Sequence, residues 1–174
     1  MLKINDKMPD FDLMGFYKDE IKAFKLSDYH GKWVVLFTYP ADFTFVCPTE
    51  VKGFNGHYDD FKKLDAEILG LSVDSPHSHK AWIEREWKEL NFPLLSDTEK
   101  EIIIKYGIDT RDAELGVVAL RATFIIDPDG KLKHYTVSDN DVGRSVEETL
   151  RVLEALQTGK LCPVDWHHGE TTLN

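Results

Sequence analysis

Trp33-Val34-Val35-Leu36-Phe37-Thr38-Tyr39, closed by Pro40, is an unbroken apolar, β-branched and aromatic run of strand length. A run with no polar face reads as a central strand covered on both sides, the kind that α/β sheets place in their middle. Beyond it, Val51, Phe54, Tyr58, Phe61 and Leu64 recur at spacings of three and four, which predicts an amphipathic helix. Gly53 and Gly56 inside that helix each cost about 1 kcal/mol relative to Ala. Residues 67–73 read as the next strand, and Ser75-Pro76 as an N-cap with proline at the first helical position, opening a helix to about Leu90. Phe92-Pro-Leu-Leu95 predicts a short strand and residues 98–106 a helix ended by Gly107. Residues 121–126 and 132–137 predict a hairpin turning through Asp127-Pro-Asp-Gly130. Ser145 with Glu148 forms a capping box for a last helix bearing Val146, Leu150, Leu153 and Leu156 on one face, with Gly159 at its end. Ahead of the first strand, residues 11–26 form a small hairpin. The expectation is an α/β domain with a mixed sheet and helices on both faces, followed by a tail that begins near Gly159.

Composition narrows the function classes. Lys plus Arg number 21 against 31 Asp plus Glu, a formal charge of −10, which argues against a nucleic-acid backbone or an anionic membrane as the main partner. No apolar run approaches the ~18 residues of a membrane span, and the first residues have neither the apolar core nor the small-residue cleavage site of a secretory signal. A reducing cytoplasm is therefore the expected compartment. A chain of 174 residues can bury a core without disulfides, so Cys47 and Cys162 are read as reactive thiols rather than staples.

Cys47 stands just after the central strand and directly before Pro48, in the first turn of the helix that carries Val51 and Phe54. A free cysteine is ordinarily only a small apolar residue. At a strand-to-helix turn, however, unpaired amides and the helix dipole favour a thiolate, and α/β sheets place their sites at that end of the strands. A disulfide exchanger of the C-x-x-C type needs a second cysteine at position 50, where this chain has Glu50. The reading therefore turns from thiol exchange to thiol oxidation.

The segment Tyr39-Pro-Ala-Asp-Phe-Thr-Phe-Val-Cys-Pro-Thr-Glu50 resembles the active-site segment of the peroxiredoxins, in particular the peroxidase component of bacterial alkyl hydroperoxide reductase and other typical two-cysteine members. The P-x-x-x-T-x-x-C pattern is met by Pro40, Thr44 and Cys47. Ser72-Val-Asp-Ser75 with His79-Lys-Ala-Trp82, Arg121-Ala-Thr-Phe, Val142-Gly-Arg-Ser145 and Leu161-Cys-Pro163 with Trp166 extend the similarity over nearly the whole chain. The resemblance implies a thioredoxin-like fold, with residues 1–158 as the peroxidase domain and 159–174 as the tail carrying a second functional cysteine. It implies a thiol peroxidase of antioxidant defence that reduces hydrogen peroxide and organic hydroperoxides to water or alcohols.

By position, Cys47 resembles the peroxidatic cysteine, Thr44 the hydroxyl that orients the peroxide, Pro40 the shield of the thiol, and Arg121 the guanidinium beside it. Glu50 and Arg144 resemble a supporting network around Arg121, although taken alone each is an ordinary solvated charge. Ionising an ordinary thiol fully at pH 7 gains at most ~30-fold, so donors that stabilise charge on the departing oxygen, such as Arg121 and Thr44, are the larger need.

Cys162, otherwise an idle exposed thiol, becomes by resemblance the resolving cysteine. It would form an intersubunit disulfide with Cys47, which requires the first turn around Cys47 to unwind. The resemblance also implies a homodimer, and a decamer-like ring of dimers joined around Phe43, Phe45 and Ser78. The histidine pairs His77/His79 and His167/His168 lack a third ligand at metal spacing and read as solvated, so no metal is expected. No flavin or nicotinamide fingerprint is present, so no cofactor is expected and electrons must arrive from another protein; the resemblance implies thioredoxin or a flavin-containing disulfide reductase. An oligomeric holdase chaperone is the alternative function.

Family members sensitive to excess peroxide carry a Gly-Gly-Leu-Gly loop and a C-terminal helix ending in Tyr-Phe. Here Lys88-Glu-Leu90 runs into Asn91-Phe-Pro93 without a glycine run, and eight residues follow Trp166. The resemblance thus implies resistance to overoxidation.

Overall fold

The computed structural model describes residues 2–174. The predicted central strand forms as β3 (Trp33–Thr38), which pairs in parallel with β4 (Ala66–Ser72). β5 (Leu94–Ser96) adds in parallel on the far side of β4. On the other side of β3, β8 (Arg121–Ile126) and β9 (Leu132–Ser138) run antiparallel, joined through the predicted turn. The N-terminal hairpin of β1 (Asp12–Tyr17) and β2 (Glu20–Lys25) joins the main sheet through β1 and β5, giving the order β2-β1-β5-β4-β3-β8-β9.

Alternation along β3 sends Val35 and Phe37 to one face and Val34 and Leu36 to the other. The first face is covered by α1 (Cys47–Gly56), α2 (Tyr58–Lys63), α3 (Pro76–Glu86) and α5 (Val146–Thr158), through Val51, Phe54, Phe61, Trp82 and Leu153. The second is covered by α4 (Glu101–Tyr106), with Ile102, Ile103 and Tyr106 packed beside Met8 and Phe11. Phe37 stacks on Phe54 at 4.3 Å, and Gly70 of β4 leaves room for it, since a Cβ there would lie 3.0 Å from the Phe37 ring. No helix among the described residues is long and apolar enough to cross a membrane.

Three helix boundaries and one capping pattern differ from the sequence reading, each for a local reason. The helix expected from Val51 to Leu64 breaks at His57, just after the weakening Gly53 and Gly56, into α1 and α2; Phe61 still packs against Phe54, so the apolar period survives the break. α3 stops at Glu86 instead of Leu90 because the amides of Trp87 and Lys88 both bond to the Ile83 carbonyl, with Lys88 in the left-handed region at φ 67. α4 starts at Glu101 because Asp97 Oδ2 accepts the amides of Ile102 and Ile103, while Lys100 turns left-handed ahead of them. Glu148 completes only half of its box: its amide donates to Ser145 Oγ, but its carboxylate turns to Arg151. A separate hairpin, β6 (Asp109–Asp112) and β7 (Gly116–Ala119), is additional to the sequence reading.

Candidate active site

The β3–α1 connection delivers Cys47 to the first residue of α1, with Pro48 following it in the first turn and the sulfur fully buried. Val46, at the N-cap, supplies no side-chain cap; the Thr49 hydroxyl braces this turn by donating to the Val46 carbonyl at 2.6 Å. Across the sheet, β8 begins with Arg121, whose guanidinium Nη1 donates to Cys47 Sγ at 3.3 Å and to Glu50 Oε2 at 2.7 Å. Arg121 Nε donates to the Asn140 carbonyl at 2.9 Å, which fixes the plane of the fork.

Glu50, one turn after Cys47, also serves Arg144: the Arg144 amide and Nε donate to Oε1 at 3.1 and 2.9 Å, and Nη2 donates to Oε2 at 3.1 Å. Arg144 in turn reaches the carbonyls of Ala122 and Thr38 and lies 5.5 Å over the Phe37 ring. Glu50 and Arg144 are therefore buried partners, not the solvated charges each would be in isolation. Two guanidiniums face one carboxylate, and an anion at Sγ would balance the excess. Burial works against the Arg121 charge, but the hydrogen bond and attraction of Cys47 and the Glu50 carboxylate outweigh it and hold its pKa above an ordinary arginine's. For Arg144 burial wins and pushes the pKa down, against the pull of Glu50.

The other sequence-derived residues fall in three places. Pro40 is buried two residues after the end of β3, and the Thr44 hydroxyl donates to the Ala41 carbonyl at 3.0 Å, leaving its lone pairs free. Phe43 and Phe45 are exposed on the same loop, Phe45 at 95%, while Ser78 on α3 donates its hydroxyl to Asp42. Cys162 is a half-buried free thiol in the tail, with Sγ 3.5 Å from Thr158 Oγ1 of α5. That tail folds back on α5: Trp166 is buried, and its carbonyl accepts Arg151 Nη1 at 3.0 Å.

One cluster escaped the sequence reading. His79, read as solvated, is fully buried, with Nδ1 2.8 Å from Asp42 Oδ2 and Nε2 donating to the Leu95 carbonyl at 3.0 Å. Its signal was its spacing: His79, Trp82 and Ile83 share one helical face. Among the described residues no group of three or more His, Cys, Asp or Glu side chains could hold a metal ion.

A thioredoxin-like α/β fold that buries a cysteine at a helix start against a guanidinium is the arrangement of a thiol-based redox enzyme. Residues 4–135 match the AhpC/TSA family. Mouse (Mus musculus) peroxiredoxin-2 is 46% identical over 180 residues, covering 98% of this chain and 89% of that protein. The reduced 2-Cys peroxiredoxin of Plasmodium vivax superposes with a TM-score of 0.90 at 33% identity, covering 97% of this chain and 91% of the other. Enterococcus faecalis AhpC does so with 0.85 at 36% identity, covering 94% and 100%. The chain belongs to the AhpC/TSA family and is a peroxidase of the peroxiredoxin type.

Proposed function

We propose that this peroxidase reduces hydrogen peroxide and organic hydroperoxides through Cys47, and that Cys162 of a second copy resolves the oxidised sulfur. The observation that carries the reading is the 3.3 Å contact of Arg121 Nη1 with a fully buried Cys47 Sγ at the start of α1. The thiolate attacks one peroxide oxygen, the O–O bond breaks, and the departing oxygen leaves with the electron pair and takes up a proton as water or alcohol. Arg121 is placed to stabilise charge on both the sulfur and that oxygen, while Thr44, whose hydrogen already goes to Ala41, is left to accept the peroxide hydrogen. Pro40 shields the thiol. Cys47 is left as a sulfenic acid. Attack by the Cys162 thiol then forms the disulfide and releases water, and an external dithiol, thioredoxin or a flavin-containing disulfide reductase, restores both thiols.

In this reading residues 1–158 are the peroxidase domain and 159–174 the tail that carries Cys162, and two free thiols suit a reducing cytoplasm. A dimer is favoured by β9, an outer strand of seven residues whose Tyr135 and Val137 are exposed. The opposite edge, β2, carries charges at Glu20, Lys22 and Lys25 that discourage pairing. The exposed Phe43 and Phe45, with Ser78 nearby, suit the contact that joins dimers into a ring. Cys47→Ser should abolish peroxide consumption. Cys162→Ser should keep the first turnover and lose the disulfide-linked dimer on a non-reducing gel; a linked dimer persisting in Cys162→Ser would overturn the resolving role.

A further inference from the structure

Between Pro40 and Thr44 the β3–α1 connection buries a carboxylate that the peroxidase chemistry above does not use. Asp42 is 6% exposed. Its Oδ1 accepts the Tyr39 hydroxyl at 2.9 Å, its Oδ2 accepts the Ser78 hydroxyl at 2.8 Å and faces His79 Nδ1 at 2.8 Å, and its amide donates to Asp74 Oδ2 at 2.9 Å. Asp74 is held by the Ser72 hydroxyl at 2.6 Å, and His79 by the Leu95 carbonyl at 3.0 Å. The Asp42 carboxylate thus ties the end of β3 to the first turn of α3 and, through His79, to β5, while its amide reaches the end of β4 through Asp74. A buried carboxylate is tolerated only when hydrogen-bonded, and here both oxygens are used.

Past Asp42 the loop changes character. Phe43 sits at φ 57, a strained conformation for a bulky residue, and Phe45 projects into solvent. The loop therefore has a fixed stem and a free arch. Ala41, whose carbonyl takes the Thr44 hydroxyl, belongs to the stem.

We infer that Asp42 is a positioning residue for peroxide reduction: held by Tyr39, Ser78 and His79, it sets the Ala41 carbonyl, and through it the Thr44 hydroxyl and Pro40, against Cys47. The inference rests on the reading of Cys47 and Thr44 given above and deepens it. Arg121 is held independently, by Glu50 and the Asn140 carbonyl, neither of which bonds to the Asp42 cluster. Loss of the anchor should therefore damage the peroxide-orienting side of the pocket and leave the Cys47–Arg121 contact in place.

Two rates on the reduced enzyme separate these effects: stopped-flow reaction with hydrogen peroxide, which needs Thr44, and alkylation of Cys47 by iodoacetamide, which does not. Asp42→Asn keeps the shape and removes the charge. It should slow peroxide by about 10- to 100-fold, the scale of small misplacements, while alkylation stays within about twofold of wild type. A wild-type peroxide rate, or an equal fall in both rates, would overturn the inference. Should Asp42→Asn not fold, Tyr39→Phe decides, since it removes one hydroxyl from a fully packed ring. A several-fold peroxide defect with unchanged alkylation supports the anchor, and wild-type rates refute it. Peroxide consumption surviving in Cys47→Ser would instead sink the underlying reading, whatever Asp42 does.

Discussion

Replacing Glu50 by Gln tests whether the buried charge network holds the start of α1. Glu50 is 4% exposed and accepts four hydrogen bonds from two guanidiniums and one amide. Glutamine offers a single acceptor oxygen, and its amide turns N–H donors toward donors. Two buried guanidiniums would then have no carboxylate beside them. Breaking a buried pair from one side costs about 3–5 kcal/mol, because the partner charge stays behind without compensation. For a chain of this size each kcal/mol moves Tm by about 2–4 °C, so Glu50→Gln should melt about 6–20 °C below wild type. Circular dichroism of the reduced protein measures this, with the exposed neighbour Lys52→Gln as a control expected within about 0.5 kcal/mol of wild type. A fall of less than about 2 °C for Glu50→Gln would refute the reasoning, since it would mean that water readily replaces the carboxylate.

Arg121→Lys keeps the charge, but one ammonium cannot serve Cys47, Glu50 and the Asn140 carbonyl from the same fork; peroxide reduction by stopped flow should slow by about 10²–10³-fold, and a change under tenfold would contradict the assigned role. Tyr135→Lys places a charge on the exposed β9 edge and should shift sedimentation toward the monomer; an unchanged profile would remove β9 from the dimer contact. Burial holds His134 below its usual pKa of 6.5, so the unfolded chain binds more protons in that window: stability should be full above pH 6.5 and decline as pH falls through the lower folded value, with a flatter urea-stability profile in His134→Gln. An identical profile in that variant would assign the slope to other groups. Thr49→Val removes the hydroxyl that braces the Val46 carbonyl, worth about 0.5–1.5 kcal/mol, so the first turn should open about 2- to 13-fold more often and Cys47 sulfinic acid should need correspondingly more peroxide by mass spectrometry; earlier overoxidation would count against an opening-limited disulfide step.

Much of this fold is readable from local chemistry. The apolar run of β3, the Ser75-Pro76 start of α3, the Asp-Pro-Asp-Gly turn and the Ser145 cap each have a short-range cause, and each forms where it was read. The misplaced boundaries have causes that sequence periodicity cannot see: a lysine adopting the left-handed turn at Lys88, or Asp97 reaching two amides five and six residues on. At the site, Cys47 was legible from its position and its missing partner at 50. The burial of Glu50, Arg144 and His79 was not, because each becomes apolar in effect only through a partner far away in sequence. Glu50 meets Arg144 94 residues later, and His79 meets Asp42 37 residues earlier.

The helix that carries the nucleophile owes little to its own sequence. α1 has ten residues, two of them glycine, no side-chain cap at Val46 and a break at His57, and isolated helices shorter than about 12–15 residues are marginal in water. Its middle is held by the burial of Val51 and Phe54 in the core, and its first turn by the Thr49 hydroxyl on the Val46 carbonyl and by the contacts of Cys47 and Glu50 with Arg121. In the proposed cycle a thiolate at Cys47 would, together with the Glu50 carboxylate, balance the Arg121 and Arg144 guanidiniums that meet them. Oxidation to a sulfenic acid would remove that anion from Sγ and add an oxygen beside a buried sulfur, while both guanidiniums and Glu50 remain. In the proposed cycle the first turn would thereby lose one of its ties to Arg121 at the step that makes the sulfur a target for Cys162, and the core contacts of Val51 and Phe54 need not change. Arg121 thus links the two halves of the proposed cycle: it ties the first turn through both Cys47 and Glu50 before peroxide reacts, and would be left to hold it through Glu50 alone once the charge on sulfur has gone with the departing oxygen.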